Sequence, residues 1–162
     1  MKDLTITIPK SEVYFDVDAV THVFAKATEG AGLQRADAVE ADTGDDFSKS
    51  IVTRFADHRA TELIDRLGQF IKATAGTSSV TASGVLSSDE NYSFTFNVEN
   101  AFIDELKDAL ADSMESYIAN GTIADWYKAA GDAHWQAYEQ MLAVDLSSAF
   151  SFIVKRKFPT RV

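Results

Sequence analysis

Between Asn91 and Val98 the chain reads NYSFTFNV, and this alternation constrains the fold more than any other stretch. In an extended strand Tyr92, Phe94, Phe96 and Val98 fall on one side and Ser93, Thr95 and Asn97 on the other. Val80, Ala82, Gly84 and Leu86 offer a weaker matching strand, with SSDEN as the turn, so a hairpin is expected. A lone hairpin is marginally stable in water. Its apolar face must therefore meet helices, another strand or a neighbouring subunit. LTITI (Leu4–Ile8) has the same period and is a candidate third strand. Pro9 interrupts it, having no N–H to give to a ladder.

The rest of the chain reads mainly as helix. EVYFDV can prolong the first strand, after which DVDAVTHVFAKATEG turns helical, with Val17, Val20, Phe24 and Ala27 on one face and Gly30 and Gly32 as the stop. LQRADAVEADTGD is small, polar and acidic, and reads as a loop. From Ser48 to Ala73 an amphipathic helix is expected, with Ile51, Phe55, Leu63, Leu67, Phe70 and Ile71 near one stripe. Arg54, Arg59 and Arg66 alternate with Asp57, Glu62 and Asp65 and are assigned to its surface; Gly76-Thr-Ser-Ser ends it. Asn100 can cap a helix over Ala101–Ala119, which buries Phe102, Leu106, Leu110, Met114 and Tyr117/Ile118, with Asn120-Gly121 as its stop. IADWYKAA is then a short separate helix closed by Gly131. Asp132 caps the last helix, whose inner side carries Trp135, Tyr138, Met141/Leu142, Leu146, Phe150 and Ile153, and Pro159 forbids its continuation. The expected class is α+β, mainly α: a bundle of about four to five helices with a β-hairpin and a short N-terminal strand, in one domain over 1–162.

Charge separates sharply along this chain, whose formal net charge is -10. From residue 73 to 154 only Lys107 and Lys128 oppose 12 acids, whereas Lys155, Arg156, Lys157 and Arg161 close the sequence without an acid. So acidic a body repels phosphate, so nucleic acid is not an expected partner. There is no cysteine, which excludes disulfides and thiolate metal sites. No apolar run reaches the length of a membrane span and the first residues lack a signal-peptide core, so a cytoplasmic place of synthesis and no membrane partner are expected.

Side-chain patterns that bear chemistry are sparse. No phosphate loop, nucleophile elbow or dinucleotide fingerprint occurs, and neither an enzyme nor a cofactor is expected. His58 and Glu62 stand four apart, a spacing that can present two metal ligands, but nothing completes a set and a surface pair is the simpler reading. His22 lies among apolar neighbours and is assigned a packed position. His134 opens the last helix, where a capping or packing role suits a neutral imidazole. Ala41–Asp46 (ADTGDD) lacks the ligand spacing of a calcium loop and reads as an acidic lead into a helix. Asp104, Asp108, Asp112 and Glu115 stack on one helix face, either as a solvated surface or as a docking stripe for a basic segment. Trp126 and Tyr127 are side by side, suited to a core or to an interface.

Three segments together resemble small structural-region proteins of Bacteroidetes tailed phages and prophages. They are ITIPKSEVYFDVDAVTHVFAKAT, SIVTRFADHRATELIDRL, and GTIADWYKAAGDAHWQAYEQMLAVDLSSAFSFIVKRKFPTRV with its R-K-x-P-x-R close. The resemblance implies a head–tail connector, neck or tail-completion component, partnered by other virion or assembly proteins or by copies of itself in a ring, and virion-associated after synthesis. On that reading residues 155–162 form a basic arm. Lys155, Arg156, Lys157 and Arg161 meet Asp104, Asp108 and Asp112 of a neighbour, with Trp126 and Tyr127 as further contact residues. The alternative is a small-molecule-binding module or an unrecognised enzyme, with a pocket between the aromatic turn and the hairpin.

Overall fold

The computed structural model describes residues 2–30, 40–73 and 81–155. Strand β1 (Lys2–Pro9) leads into α1 (Lys10–Gly30) and α2 (Asp46–Ala73). The hairpin β2 (Thr81–Ser87) and β3 (Asn91–Val98) follows. A 3₁₀ turn (Asp104–Leu106) then precedes α3 (Lys107–Ala130) and α4 (Trp135–Val154). The result is α+β and mainly helical, with four helices among the described residues and a three-stranded antiparallel sheet in the order β1-β3-β2. Gly32, residues 33–39, Gly76-Thr-Ser-Ser, Val80, Arg156, Lys157 and Arg161 lie outside the described residues, as do the side chains of Phe70, Ile71 and Ala82.

The NYSFTFNV alternation is the axis of this architecture. β3 is the central strand, and Leu4, Ile6 and Ile8 of β1 stand opposite Phe96, Phe94 and Tyr92 in register. All six are buried and form one apolar sheet face, which the helices cover with Leu63 and Leu67 of α2, Leu110, Met114 and Ile118 of α3, and Leu146, Ala149 and Ile153 of α4. Each large side chain so buried contributes about 1.5–3 kcal/mol relative to exposure. The cover that the hairpin needs is thus supplied within the chain. A second apolar cluster lies apart from the sheet, with Val17, Ala41, Val52, Ile123 and Tyr127 fully covered and Phe24, Trp126, Trp135 and Tyr138 packed around them.

Several elements depart from the sequence expectation, each for a local reason. EVYFDV is helical, because Val13, Val17, Thr21 and Ala25 recur every fourth residue and are all buried on α1. The buried stripe runs through these positions, with Val20 and Phe24 beside it and Ala27 exposed. The Lys10 amide donates to the Glu90 carbonyl at 2.9 Å, so sheet pairing hands over to helix without a loop. On β2 the register slips by one residue between Ala82 and Val85, where Gly84 takes φ 128°. This bulge turns Val85 towards the core and leaves Leu86 72% exposed, reversing the alternation expected of that strand.

The helix expected from Ala101 starts at Lys107, after a turn in which Phe102 donates to Glu99 and buries its ring. Asn100 therefore caps nothing. Asn120-Gly121 does not stop the helix either, and IADWYKAA is its last part. A Cβ on Gly121 would lie 2.7 Å from Cδ of Arg59, so the glycine serves a close helix–helix approach and not a chain reversal. The real stop is Gly131, at φ 72°, whose amide returns to the Lys128 carbonyl. Asp132 then accepts the His134 amide at 2.8 Å ahead of α4. On α4, Met141 faces out at 46% exposure while Leu142, Leu146, Ala149 and Ile153 face in.

Candidate functional site

α3 carries polar groups on two sides, and α1, α2 and α4 decide what each side meets. Towards α2 and α4, the charge network centres on Arg59, which is only 5% exposed and not on the surface as its alternation with acids implied. Its Nε and Nη2 donate to Oδ2 and Oδ1 of Asp125 at 2.8 and 2.7 Å, a bidentate pair, and Nη1 donates to Glu62 at 2.8 Å. Glu139 joins from α4, accepting from Arg59 at 3.3 Å and from Lys128 at 2.9 Å. Burial alone would lower the Arg59 pKa, but the bond to Asp125 and the surrounding carboxylates outweigh it and raise it. Burial likewise acts to raise Glu139, yet Lys128 and Arg59 leave its pKa lowered. Glu62 is thereby committed to Arg59 and Arg66, so it does not pair with His58.

Towards α1 the first half of the same helix brings its carboxylates to further carboxylates. Asp108 and Asp112 are exposed, and Glu115 is half-buried against Glu12 and Asp16 of α1. Burial, a hydrogen bond with Glu12 and the charges of Glu12, Asp16 and Asp112 push Glu115 up to about 7. Asp16 is raised as well, by burial and then by Glu12. Asp104 is separate, lying in the 3₁₀ turn and bonded to Lys2. The four-residue stack expected on one helix is thus a smaller stripe widened by a second helix. Glu12 and Asp16 were missed because reading EVYFDV as strand hid the face they share.

The other expected site residues scatter. Lys155 ends α4, exposed, its ammonium 4.8 Å from the Phe152 ring centre, and the backbone there turns extended. Bonds from Lys128 to Glu139 and from Asn120 to Asp145 set α3 and α4 antiparallel, which returns Lys155 to the level of the first turns of α3. Tyr127 is fully buried, ringed by Phe24 at 5.4 Å and Tyr138 at 5.7 Å, which removes it from any contact surface. Trp126 is partly buried beside it. His22 is exposed and paired with Glu40, not packed; His134 bonds Asp132 and lies over Phe24 at 4.2 Å. Asp45 receives the Ser48 amide at 3.0 Å, so the ADTGDD segment does lead and cap α2. Among the described residues no three His, Asp or Glu side chains are grouped to hold a metal ion, and no helix is long and apolar enough to cross a membrane. A groove of about 670 Å³ lies between α2 and the end of α3, beside the aromatic turn and without a hairpin residue in its lining.

Comparison with protein-family models, with curated proteins and with solved structures found no match for this chain.

Proposed function

We propose that this chain is a non-enzymatic assembly protein of the tailed-phage or prophage kind, a head–tail connector, neck or tail-completion component that acts through protein–protein contacts. The observation that carries the reading is the segregation of charge. Asp108, Asp112, Glu115, Glu12 and Asp16 form an acidic face across α1 and α3, and the basic residues 155–161 follow α4. Like carboxylates held together cost stability unless a cation arrives, and a basic segment is such a cation. A basic segment from one copy on the acidic face of the next is a heterologous contact, which closes into a ring when the rotation permits. The resemblance of the three segments supports the same role.

Light scattering of the full chain, and of a chain ending at Val154, at low and high salt tests the reading. A salt-sensitive oligomer that disappears with the truncation is the expected result. A monomer in every condition contradicts self-association through this segment.

A further inference from the structure

The first half of α2 and the last turns of α3 border the groove of about 670 Å³, with Arg54, His58 and Phe55 on one wall and Asp125 and Lys128 on the other. Small-molecule sites commonly enclose about 300–1,000 Å³. The charged groups along it differ in what remains available. Both Asp125 oxygens accept from Arg59, and Lys128 is bonded to Glu139, so these two are neutralised within the protein. Arg54 and His58, one helical turn apart, have no ion pair or hydrogen bond among the described residues. Asp57, which lies between them in sequence, is engaged with Lys10 and with the Tyr92 hydroxyl. The groove of a chain with formal charge -10 therefore offers a guanidinium and an imidazole without a partner among the described residues. Ile51, Phe55 and Ala129 line the same space with carbon.

We infer that this groove binds a small organic anion, a carboxylate carried on an aliphatic or aromatic body. Arg54 forks onto the carboxylate, because a planar guanidinium matches its two oxygens and gives up hydration readily. His58 lies alongside, and the body of the ligand covers Ile51, Phe55 and Ala129. A single negative charge suits the site, since the Asp125 carboxylate is part of the opposite wall and opposes a more highly charged head. This binding is independent of the assembly reading.

Calorimetric titration of the full chain with octanoate and phenylacetate, each beside its uncharged amide, tests the inference. At least one carboxylate binds saturably at one site, and about tenfold more tightly than its amide. Arg54→Gln weakens that binding by about the same factor, and its unliganded melting temperature is unchanged because Arg54 is exposed and makes no hydrogen bond or ion pair among the described residues. Ala129→Phe, which fills the groove from an exposed position, removes uptake of both acid and amide. Equal affinity for acid and amide overturns the inference, as does carboxylate binding untouched by either substitution. Failure of both carboxylates to bind saturably also overturns it.

Discussion

The two polar sides of α3 invite comparison, since one helix presents carboxylates to opposite surroundings. Towards α2 and α4, Asp125 meets a guanidinium and the whole cluster is cross-bonded through Glu62, Glu139 and Lys128. Towards α1, Glu115 meets Glu12 and Asp16, which together with burial push its pKa up to about 7. The first arrangement is what a fold requires of charges it covers. The second costs the fold stability wherever Glu115 is ionised, and under the proposed function a basic segment would offset that cost.

The largest effect should come from breaking the compensated side. Arg59→Leu leaves Asp125 without its bidentate partner and Glu62 and Glu139 undercompensated, and should cost about 3–5 kcal/mol in denaturant unfolding. Next is Gly121→Ala. In an open helix interior this change stabilises by about 0.5–1 kcal/mol. Here the added methyl meets Arg59 and should destabilise by about 1–3 kcal/mol, and a gain in stability would show that the two helices are free to part.

Smaller effects are expected on the acidic side, and with opposite sign. Glu115→Gln should stabilise by about 1 kcal/mol at about pH 8, once solvent screening is allowed for, and by little at about pH 5. The pH dependence of the unaltered chain follows from the same group. Glu115 is raised from 4.5 to about 7, so between these values the folded state holds a proton that the unfolded chain has released. Its contribution to stability is present below about 4.5 and is lost as pH rises through about 7. Glu139, lowered from 4.5, acts in the other direction, and its contribution is lost as pH falls. Thermal melts of the unaltered chain and of Glu115→Gln across this range separate the two. Smallest of all, Asp108→Asn should change stability by no more than about 0.5 kcal/mol.

Much of this fold was legible in local pattern. The β3 alternation, the LTITI strand and the Gly131 stop all express a backbone preference that their own neighbours do not contradict. What escaped was decided by distant residues. Gly121 looks like a helix stop until Arg59 is seen against it, and Arg59 looks like a surface cation until Asp125 is seen on the other side. One residue inserted at the Gly84 bulge is enough to exchange the inward and outward positions of β2. The acidic face was half visible, since Asp108 and Asp112 share a helix while Glu12 and Asp16 arrive through tertiary packing. Of the groove only the wall beside the aromatic turn was legible, because its other wall comes from a segment some seventy residues away in sequence and not from the hairpin.

A charge exchange tests the contact between the acidic face and the basic segment most directly. One variant carries Asp108→Lys and Asp112→Lys, and the other carries Lys155→Glu, Arg156→Glu and Lys157→Glu. Each is measured by sedimentation at low salt, alone and in an equal mixture. The account predicts that each variant alone is monomeric, because its own face and segment now repel, and that the mixture re-forms an oligomer in which the two variants alternate, the basic face taking the acidic segment and the unaltered acidic face the unaltered basic segment. Association of the single variants equal to that of the unaltered chain, or a mixture that behaves as the sum of its components, would contradict it.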